Sequence, residues 1–569
     1  MSQLYYGDNL DVLRAHVPDE SVDLVYLDPP FNSNANYNIL FKSPAGGGAQ
    51  AQIEAFEDTW HWNDHAEDAF DQVGRSGNCK AFDLLNAMRA FLGENDMMAY
   101  LAMMAIRLIE LHRVLKPTGS LYLHCDPTAS HYLKLLLDGV FGPENYLNEI
   151  IWRRTGSHNN AKRFGPVHDV IHFVRKSDAY RHRPVFRPYA LGHVNGYFKR
   201  ADERGHYWTN SIHGAGTRNG DSGRIWRGYD PTAAKRHWAV PSELVTAFGI
   251  DPDLPQHQKL DALADLGLID LPDPASGALP TYRQYLDRSP GLLLQDVWAY
   301  QPHTRGTLHG SGEGIDEDVR WLTAQGDEER LGYPTQKPVG LLERIIHASS
   351  NEGDVVLDPF CGCGTAIHAS QKLGRRWIGI DVTHLAISLI EKRLRDAFPG
   401  IAFSVEGTPK DLASAEDLAR RDKYQFQWWA VSMVDAMPFG GRKKGADGGI
   451  DGIIYFKPDG RRTERALVSV KGGDNVGVQM IRDLHSVIER EKASIGVFIT
   501  KSLPTSAMEK EAASVGRFED GWGRTYPRLQ ILTLAELFQG RKPQIPFVDP
   551  GAVFKKAARE ERSVQGSLL

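Results

Sequence analysis

The chain has 569 residues, a formal net charge of -6 at pH 7, 41% hydrophobic residues and 24% charged residues. It is longer than one hydrophobic core usually serves, so we expect several domains. The four cysteines lack disulfide-framework spacing, and no apolar stretch reaches the ~20 residues needed to cross a bilayer. A disulfide scaffold and a membrane protein are excluded, and a cytoplasmic location fits.

Residues 1–150 alternate strand-like and helix-like segments. Ser21 to Leu27 predicts a strand, Met97 to Leu115 an amphipathic helix, and Ser120 to His124 a second strand. This alternation indicates a doubly wound α/β sheet, which binds its ligands at the carboxyl ends of strands. A stiff, polar turn that ends in an aromatic ring follows the first strand at once: Asp28, Pro29, Pro30 and Phe31.

Residues 151–330 are rich in Arg, His, Trp and Tyr and show little periodicity. We interpret them as an inserted recognition region. Its beginning is basic, with 11 Lys and Arg against 2 Asp and Glu between Trp152 and Arg200. This stretch predicts contacts with nucleic-acid phosphates, the alternative being a solvated loop surface. The residues predicted to make these contacts are Arg153, Arg154, Lys162 and Arg163.

The α/β pattern returns in residues 331–408. A helix is predicted at Val339 to Ser349, a strand at Val355 to Leu357, a helix at Ala366 to Leu373 and a strand at Trp377 to Ile380. A glycine-rich turn joins the first strand to the second helix, and its small residues would let the backbone approach a nucleoside cofactor. The turn reads Asp358-Pro359-Phe360-Cys361-Gly362-Cys363-Gly364-Thr365.

Four segments together resemble the β group of DNA amino-methyltransferases. Asp28 to Phe31 matches the catalytic signature, and Asp358 to Thr365 resembles the loop for S-adenosylmethionine. Thr335 to Pro338 matches a motif that packs beside the cofactor, and Gly7 to Asn9 resembles the element that reaches the cofactor's adenine. The resemblance covers about residues 1–150 and 331–405. It implies a Rossmann-like, S-adenosylmethionine-dependent methyltransferase with circularly permuted motif order that acts on duplex DNA.

The resemblance also assigns roles to single residues. Asp28 and a proline carbonyl would accept the two hydrogens of an exocyclic amine, which turns the nitrogen lone pair toward the methyl donor, while Phe31 stacks on the flipped base. The implied catalytic residues are Asp28, Pro29, Pro30 and Phe31. The implied cofactor-binding residues are Asp8, Thr335, Lys337, Pro338, Asp358, Phe360, Gly362, Gly364, Thr365 and Asp381, the last at a strand end where an acid would bind ribose hydroxyls.

Several alternatives stay open. Asp in the first catalytic position favours N6 of adenine by family association, but N4 of cytosine would accept the same hydrogen bonds. The chain has no Pro-Cys pair, which argues against a cysteine nucleophile acting on carbon-5 of cytosine. Cys361 and Cys363 are interpreted as small fillers of the turn, since further paired metal ligands are lacking. A non-catalytic DNA-binding regulator and an RNA methyltransferase are the remaining readings.

The C-terminal part predicts a polar linker at residues 409–423, a separate domain at 424–545 and a loose tail at 546–569. Strands at Ile453 to Phe456 and Ala466 to Lys471 form a predicted hairpin, and Ile495 to Thr500 predicts a further strand. With Asp451 and Lys471, this pattern resembles the Mrr-like branch of the α/β restriction-endonuclease fold.

In that fold the Asp binds Mg²⁺ and the Lys activates the attacking water, which assigns these roles to Asp451 and Lys471. Ser469 stands where the family usually has Glu, Asp or Gln, and a hydroxyl is a weaker metal ligand than a carboxylate. The module is therefore expected either to cut DNA or only to bind DNA or a partner. A homodimer or a partner subunit of a restriction system is also expected.

Overall fold

The computed structural model describes residues 2–30, 36–41, 51–57, 62–157, 162–323, 327–331, 333, 335–439, 449–459, 462–546 and 557–560. The predicted stacking residue Phe31 lies outside these ranges. The chain divides into two compact units. The first comprises Met1–Val185, Gln295–Tyr300 and Asp318–Arg562, and the second comprises Phe186–Leu294 and Gln301–Glu317. Among the described residues, no helix is both long and apolar enough to span a membrane.

A nine-stranded sheet forms the centre of the first unit. Its strands are Gln3–Tyr6 (β1), Val22–Leu27 (β2), Leu115–Cys125 (β3), Tyr146–Arg153 (β4), His168–Arg175 (β5), Val297–Trp298 (β6), Val355–Asp358 (β7), Arg376–Asp381 (β8) and Ser404–Glu406 (β9). Their order is β6-β4-β5-β3-β2-β7-β8-β1-β9. Only β5 runs antiparallel to its neighbours β3 and β4. The mostly parallel sheet agrees with the α/β fold that the sequence predicts.

Helices accompany this sheet along the chain: Asn9–His16 (α1), Asp64–Arg75 (α2), Cys79–Leu92 (α3), Asp96–Val114 (α4), Pro127–Phe141 (α5), Val339–Ser349 (α6), Thr365–Lys372 (α7) and His384–Ala397 (α8). Val25 and Leu27 of β2 belong to an apolar cluster with α1, α4 and α5. Leu24 and Tyr26 belong to another cluster, which includes α6. Alternate residues of one strand thus pack on opposite faces, as expected for a sheet covered on both sides. A hairpin of Asn36–Phe41 with Ala51–Glu57 follows β2 in the chain.

Strands β2 and β7 are parallel neighbours, with Leu24 opposite Val356 and Val25 opposite Leu357. Both strands are buried and apolar, and each leads directly into a polar motif. Because parallel strands end at the same edge, the Asp28 turn and the Asp358 turn meet there. The strand before the catalytic motif also precedes, along the chain, the strand before the glycine-rich turn.

The sheet extends past the boundary predicted at residue 150. Strands β4 and β5 belong to it, so the first unit continues to Val185. Many basic side chains of this stretch face acidic partners: Arg175 pairs with Asp178, Lys176 with Glu20 and Arg181 with Asp354. The charge count overstated the free positive surface, because Glu20 and Asp354 lie outside the counted run.

The second unit has its own small sheet and apolar core. The sheet orders Ile269–Asp270, Thr281–Tyr285, Gly205–Ser211 and Arg200–Asp202. Helices Leu191–Tyr197, Ser242–Ala247 and Gln256–Asp265 belong to the same unit. Trp226, Trp238 and Leu260 are buried in one cluster. The weak periodicity of the sequence reflects these short elements.

The C-terminal part of the first unit contains a five-stranded sheet, ordered Met437–Pro438 (β10), Gly452–Phe456 (β11), Glu464–Lys471 (β12), Ile495–Thr500 (β13) and Leu529–Thr533 (β14). Its helices are Leu412–Arg421 (α9), Lys423–Ser432 (α10), Val478–Arg490 (α11), Ser506–Ser514 (α12) and Leu534–Phe538 (α13). The predicted hairpin is present as β11 and β12.

The linker predicted at 409–423 is wrong, because most of it is α9. Asp411 and Ser414 form a capping box at the start of this helix, and Leu418 buries its apolar face. The next helix, α10, packs against the methyltransferase-like part through Trp428, which shares a cluster with Leu385 of α8. The two parts are therefore in direct contact.

Candidate active site

A cavity of about 420 Å³ opens at the sheet edge where β2 and β7 end. It is lined by residues of every motif that the sequence singled out in the two halves. The predicted residues that face it are Asp8, Asp28, Pro29, Pro30, Thr335, Lys337, Asp358, Phe360, Gly362, Thr365 and Asp381. Residues some 330 positions apart thus form one site.

Asp28 forms an ion pair with Lys337 inside this cavity. Lys337 is 8% exposed, so its ammonium is held in place largely by protein groups, including the Thr335 carbonyl at 3.4 Å. The Asp28 side chain is 17% exposed. A lysine of the Thr335 to Pro338 motif therefore fixes the orientation of the Asp28 carboxylate.

The glycine-rich turn adopts backbone angles that favour glycine, with φ of 48° at Gly362 and 73° at Gly364. A Cβ at Gly364 would lie 2.7 Å from Cγ1 of Ile390 in α8. Gly364 and Pro338, both predicted to bind cofactor, are absent from the cavity wall. Gly364 instead lets α8 approach the turn, and Pro338 is the N-cap residue of α6.

Two carboxyl groups flank the turn: Asp358 is buried, and Asp381 is partly exposed. Burial raises the pKa of Asp381 to about 6, while its carboxylate accepts hydrogen bonds from Gly362 N at 2.9 Å and Thr383 N at 2.8 Å. Burial also raises the pKa of Asp358 well above its usual value, despite a hydrogen bond from Phe360 N at 3.1 Å. With a pKa of about 6, Asp381 is mostly ionised near pH 7, whereas burial favours the protonated form of Asp358.

Arg107, which the sequence analysis missed, connects the catalytic half to the cofactor half. It donates to Asp8 Oδ2 at 2.8 Å and to Asn9 Oδ1 at 2.6 Å, and Asn9 in turn donates to the Pro359 carbonyl at 2.9 Å. Arg107 is 4% exposed, and burial lowers its pKa. A basic residue within the apolar run of α4 was the available signal, since a buried charge requires partners.

Arg393 of α8 is a second missed residue. Its guanidinium donates to the Cys363 carbonyl at 3.0 Å and to Thr365 Oγ1 at 3.2 Å, which holds the turn from below. Burial raises the pKa of the Cys361 and Cys363 thiols. Thiols are poor metal ligands compared with thiolates. In the described part of the chain, no cluster of three or more His, Cys, Asp or Glu side chains could hold a metal ion.

The four predicted phosphate contacts separate into two pairs. Arg153 donates to the Tyr300 carbonyl at 3.4 Å and lies over the Trp321 ring, and Arg154 pairs with buried Asp169 at 3.1 Å. Lys162 and Arg163 are exposed. The second pair is therefore the better candidate for a backbone contact, because the first pair already has protein partners.

The predicted nuclease residues lie in the C-terminal sheet. Asp451 is 7% exposed, and its Oδ2 accepts hydrogen bonds from Val470 N at 2.7 Å and from Ser469 Oγ at 3.4 Å. Lys471 ends β12. Mg²⁺ prefers several oxygen ligands, usually with one or two carboxylates. A single carboxylate that already accepts a backbone N–H does not fit this requirement, so the described residues do not form a magnesium site.

The cavity at β2 and β7, by contrast, fits a nucleoside cofactor. Its volume lies within the usual range for small-molecule sites. Asp381 is mostly ionised at a strand end and can accept from ribose hydroxyls, while Gly362 brings bare backbone to the wall. The side chain of Asp8 is 45% exposed at the same cavity and retains acceptor capacity.

Comparison with known proteins identifies two matching family models. The model described as "DNA methylase" matches residues 22–392, and one described as "NACHT-associated inactive Restriction Endonuclease 1" matches residues 436–539. The Type II methyltransferase M.EcaI of Enterobacter cloacae is 32% identical over 297 residues, which cover 52% of this chain and 57% of the relative.

Two further relatives extend the comparison. The Type III restriction-modification enzyme StyLTI Mod subunit of Salmonella typhimurium is 24% identical over 381 residues, covering 64% of this chain and 49% of that one. The DNA adenine methyltransferase YhdJ of Escherichia coli is 48% identical over 76 residues, covering 13% of this chain and 24% of that one. The chain thus spans about half the length of the first two curated relatives.

Solved structures give weaker similarity. A DNA modification methylase from Thermus thermophilus, complexed with S-adenosyl-L-methionine, has a TM-score of 0.30 and 16% identity, with 71% of this chain and 99% of that chain covered. The cytosine-N4-specific PvuII DNA methyltransferase has a TM-score of 0.31 and 10% identity, with coverage of 71% and 89%. TM-scores this low do not establish a shared fold. The fold is assigned here from the order and direction of the strands.

Proposed function

Because this chain belongs to the N6/N4 DNA methylase family, whose model matches residues 22–392, we propose that it methylates an exocyclic amine of a DNA base. The observation that carries the proposal is the single cavity lined by both Asp28 and the Asp358 to Thr365 turn. A catalytic carboxylate and a cofactor-type turn on one wall are what direct methyl transfer requires, since donor and acceptor must lie within reach of each other.

S-adenosylmethionine, when bound, supplies a methyl group on a positively charged sulfur. Asp381 would accept hydrogen bonds from its ribose, with Gly362 backbone beside it, and Arg107 would hold Asp8 toward its adenine. Thr383 and Arg393 support this arrangement by fixing Asp381 and the turn. These residues bind and orient the cofactor, and they take no part in bond making.

At the other end of the cavity, Asp28 and the carbonyl of Pro29 or Pro30 would accept the two amine hydrogens. Held in this way, the nitrogen lone pair would face the methyl group that the cofactor supplies, and Asp28 or water would take up the amine proton released on transfer. Lys337 balances the charge of Asp28 and keeps its oxygens oriented. Phe31 is proposed to stack on the flipped base.

We favour N6 of adenine as the acceptor. Two features support this choice: Asp28 in the first catalytic position, which goes with adenine by family association, and the relative named as a DNA adenine methyltransferase, 48% identical over 76 residues. Lys162 and Arg163, exposed at the beginning of the predicted recognition region, are proposed to contact duplex phosphates. A partner subunit is proposed from the Type III Mod relative, and a homodimer remains a prediction.

The test is methyl transfer from tritiated S-adenosylmethionine to duplex DNA, followed by digestion to nucleosides. Label in N6-methyladenine supports the proposal, and label in N4-methylcytosine overturns the adenine assignment. Asp28→Ala should reduce transfer by at least about 100-fold while cofactor binding persists, because the carboxylate faces the base and not the cofactor. Transfer at wild-type rate in this variant would refute the catalytic assignment.

We propose that the C-terminal domain binds DNA or a partner and does not cut DNA. The single carboxylate Asp451 tied to Val470, the hydroxyl of Ser469 and the match to a model described as inactive all support this proposal. Incubation of plasmid DNA with the protein and Mg²⁺ or Mn²⁺ should give no nicking above that of a Lys471→Ala control. Metal-dependent nicking that disappears in Lys471→Ala would overturn it.

A further inference from the structure

A second cleft, of about 770 Å³, lies in the C-terminal part at the carboxyl end of β12. One wall comes from α9 and α10, which lie before residues 436–539 of the second family match, and the other from the ends of β12 and β13 and the loop after β12. Asp451 is not part of the wall. The cleft is thus distinct from the predicted magnesium site, although Lys471 borders it.

Close packing sets the shape of this cleft. A Cβ at Gly472 would lie 2.7 Å from Cε1 of Phe426, so α10 can approach the β12 loop only because residue 472 has no side chain. Phe426 is 1% exposed and lies among the lining residues. Lys501 N donates to the Lys471 carbonyl at 3.4 Å, which places these two lysines side by side at adjacent strand ends.

The charges of the wall do not cancel. Its cations are Arg420, Lys423, Lys471 and Lys501, and its carboxylates are Glu416, Asp417 and Asp474. Arg420 pairs with Asp417 at 2.6 Å, and Lys501 pairs with Asp474 at 2.6 Å. Among the residues that the structure describes, Lys423 and Lys471 have no carboxylate partner, which leaves two ammonium groups against exposed Glu416.

The serine at position 469 accounts for the lack of a carboxylate partner for Lys471 among the described residues. A carboxylate at that position would stand two residues from the lysine on the same face of β12. Ser469 instead turns its hydroxyl to Asp451, which also accepts the Val470 N–H. The ammonium of Lys471 is consequently available to an external anion.

We propose that this cleft binds a nucleoside phosphate, with Lys471 and Lys423 as the phosphate ligands. The volume exceeds that of a single phosphate and lies in the range of sites for nucleotide-sized ligands. Lysine ammonium groups hold phosphate oxygens by charge-assisted hydrogen bonds. A free nucleotide and the terminal nucleotide of a DNA strand present the same chemistry. The site acts independently of methyl transfer.

The experiment measures fluorescence anisotropy on the full chain, with the cofactor cavity saturated by S-adenosylhomocysteine. The two probes are N-methylanthraniloyl-ATP and a fluorescein-labelled, 5′-phosphorylated six-nucleotide DNA strand. Lys471→Ala and Lys423→Ala should each raise Kd about tenfold, the effect of losing one charge-assisted hydrogen bond. The matched control is Lys510→Ala, an exposed lysine outside the cleft, which should leave Kd unchanged.

Each outcome decides the question. Weakening of the nucleotide alone identifies a free nucleotide as ligand, and weakening of the strand identifies a DNA end. Equal Kd values in wild type, Lys471→Ala and Lys423→Ala for both probes, or equal weakening by Lys510→Ala, overturn the proposal. Asp28→Ala should bind both probes as wild type does, and Lys471→Ala should still methylate DNA. If the protein does not transfer methyl groups, the proposal of phosphate binding in this cleft can therefore still hold.

Discussion

Substitution of Gly364 by alanine should loosen the cofactor turn. The residue has φ of 73°, and left-handed backbone costs an alanine about 1–2 kcal/mol. The new Cβ would also lie 2.7 Å from Cγ1 of Ile390, a fully buried side chain in α8. Overpacking of this kind costs about 1–3 kcal/mol, so the total is about 2–5 kcal/mol.

The turn can relieve this cost by moving, but binding the cofactor requires the original geometry. If the whole 2–5 kcal/mol opposes binding, the dissociation constant for S-adenosylmethionine should rise by about 30-fold at the lower end of this range and by about 5,000-fold at the upper end. Isothermal titration calorimetry measures it directly. Gly353→Ala is the matched control, because φ is 81° there and a Cβ would meet nothing within 4 Å.

Gly353→Ala should carry the backbone cost alone and bind cofactor as wild type does. Adding Ile390→Ala to Gly364→Ala should restore part of the lost affinity, since the side chain that clashes has been removed. Wild-type affinity in Gly364→Ala, or no recovery in the double variant, would refute the reasoning that this glycine exists to admit α8.

Three further predictions concern buried polar groups. The pKa of Asp381 is raised to about 6, so its ionised fraction falls as the pH drops through 6. The affinity for S-adenosylmethionine, measured by calorimetry, should fall by up to about tenfold per pH unit below 6. Asp381→Asn should make this affinity nearly independent of pH. Arg107→Met should cost about 2–4 kcal/mol in urea unfolding and raise the cofactor Kd, because buried Asn9 Oδ1 loses its donor, whereas unchanged values would refute a bridging role. Asp451→Ala should lower stability by about 1–3 kcal/mol, because Val470 N loses its acceptor, and a methyl-transfer assay should show no change.

The sequence indicated the positions of Asp28 and Asp358 because chemistry and local pattern coincide there, while the roles assigned to them stay predictions. Asp28 and Asp358 each follow a buried apolar strand, so their position at the sheet edge follows from parallel pairing, and the structure confirms that β2 and β7 are neighbours. The predicted helix at Val339 to Ser349 agrees with α6. In these segments local periodicity and tertiary burial indicate the same element.

Other features depended on partners that a local pattern does not contain. Arg107 donates to Asp8 and Asn9, which lie almost a hundred residues earlier in the chain. The segment Lys116 to Gly119 lies within β3, where the pairing register with β2 shifts between Val22 and Leu24. A proline and a glycine favour a turn locally, but the strand continues past them as an irregular segment.

The linker predicted at residues 409–423 was wrong for a related reason. The residues of α9 are mostly polar because one narrow apolar face, with Ala415 and Leu418, is all that this helix buries. A high charge density then resembled a linker. The same helix forms a wall of the second cleft.

The neighbouring positions of β2 and β7 also affect how the protein is made. Translation proceeds at about 5–20 residues per second, so roughly 330 residues take on the order of 15–65 s to synthesise. During that time β2 can pair with β3, but the side that will receive β7 presents unpaired backbone groups. Exposed strand edges invite association with other chains. A ribosome-associated chaperone is therefore expected to matter most for this protein before residue 358 emerges, and no nascent chain shorter than that can carry the assembled site.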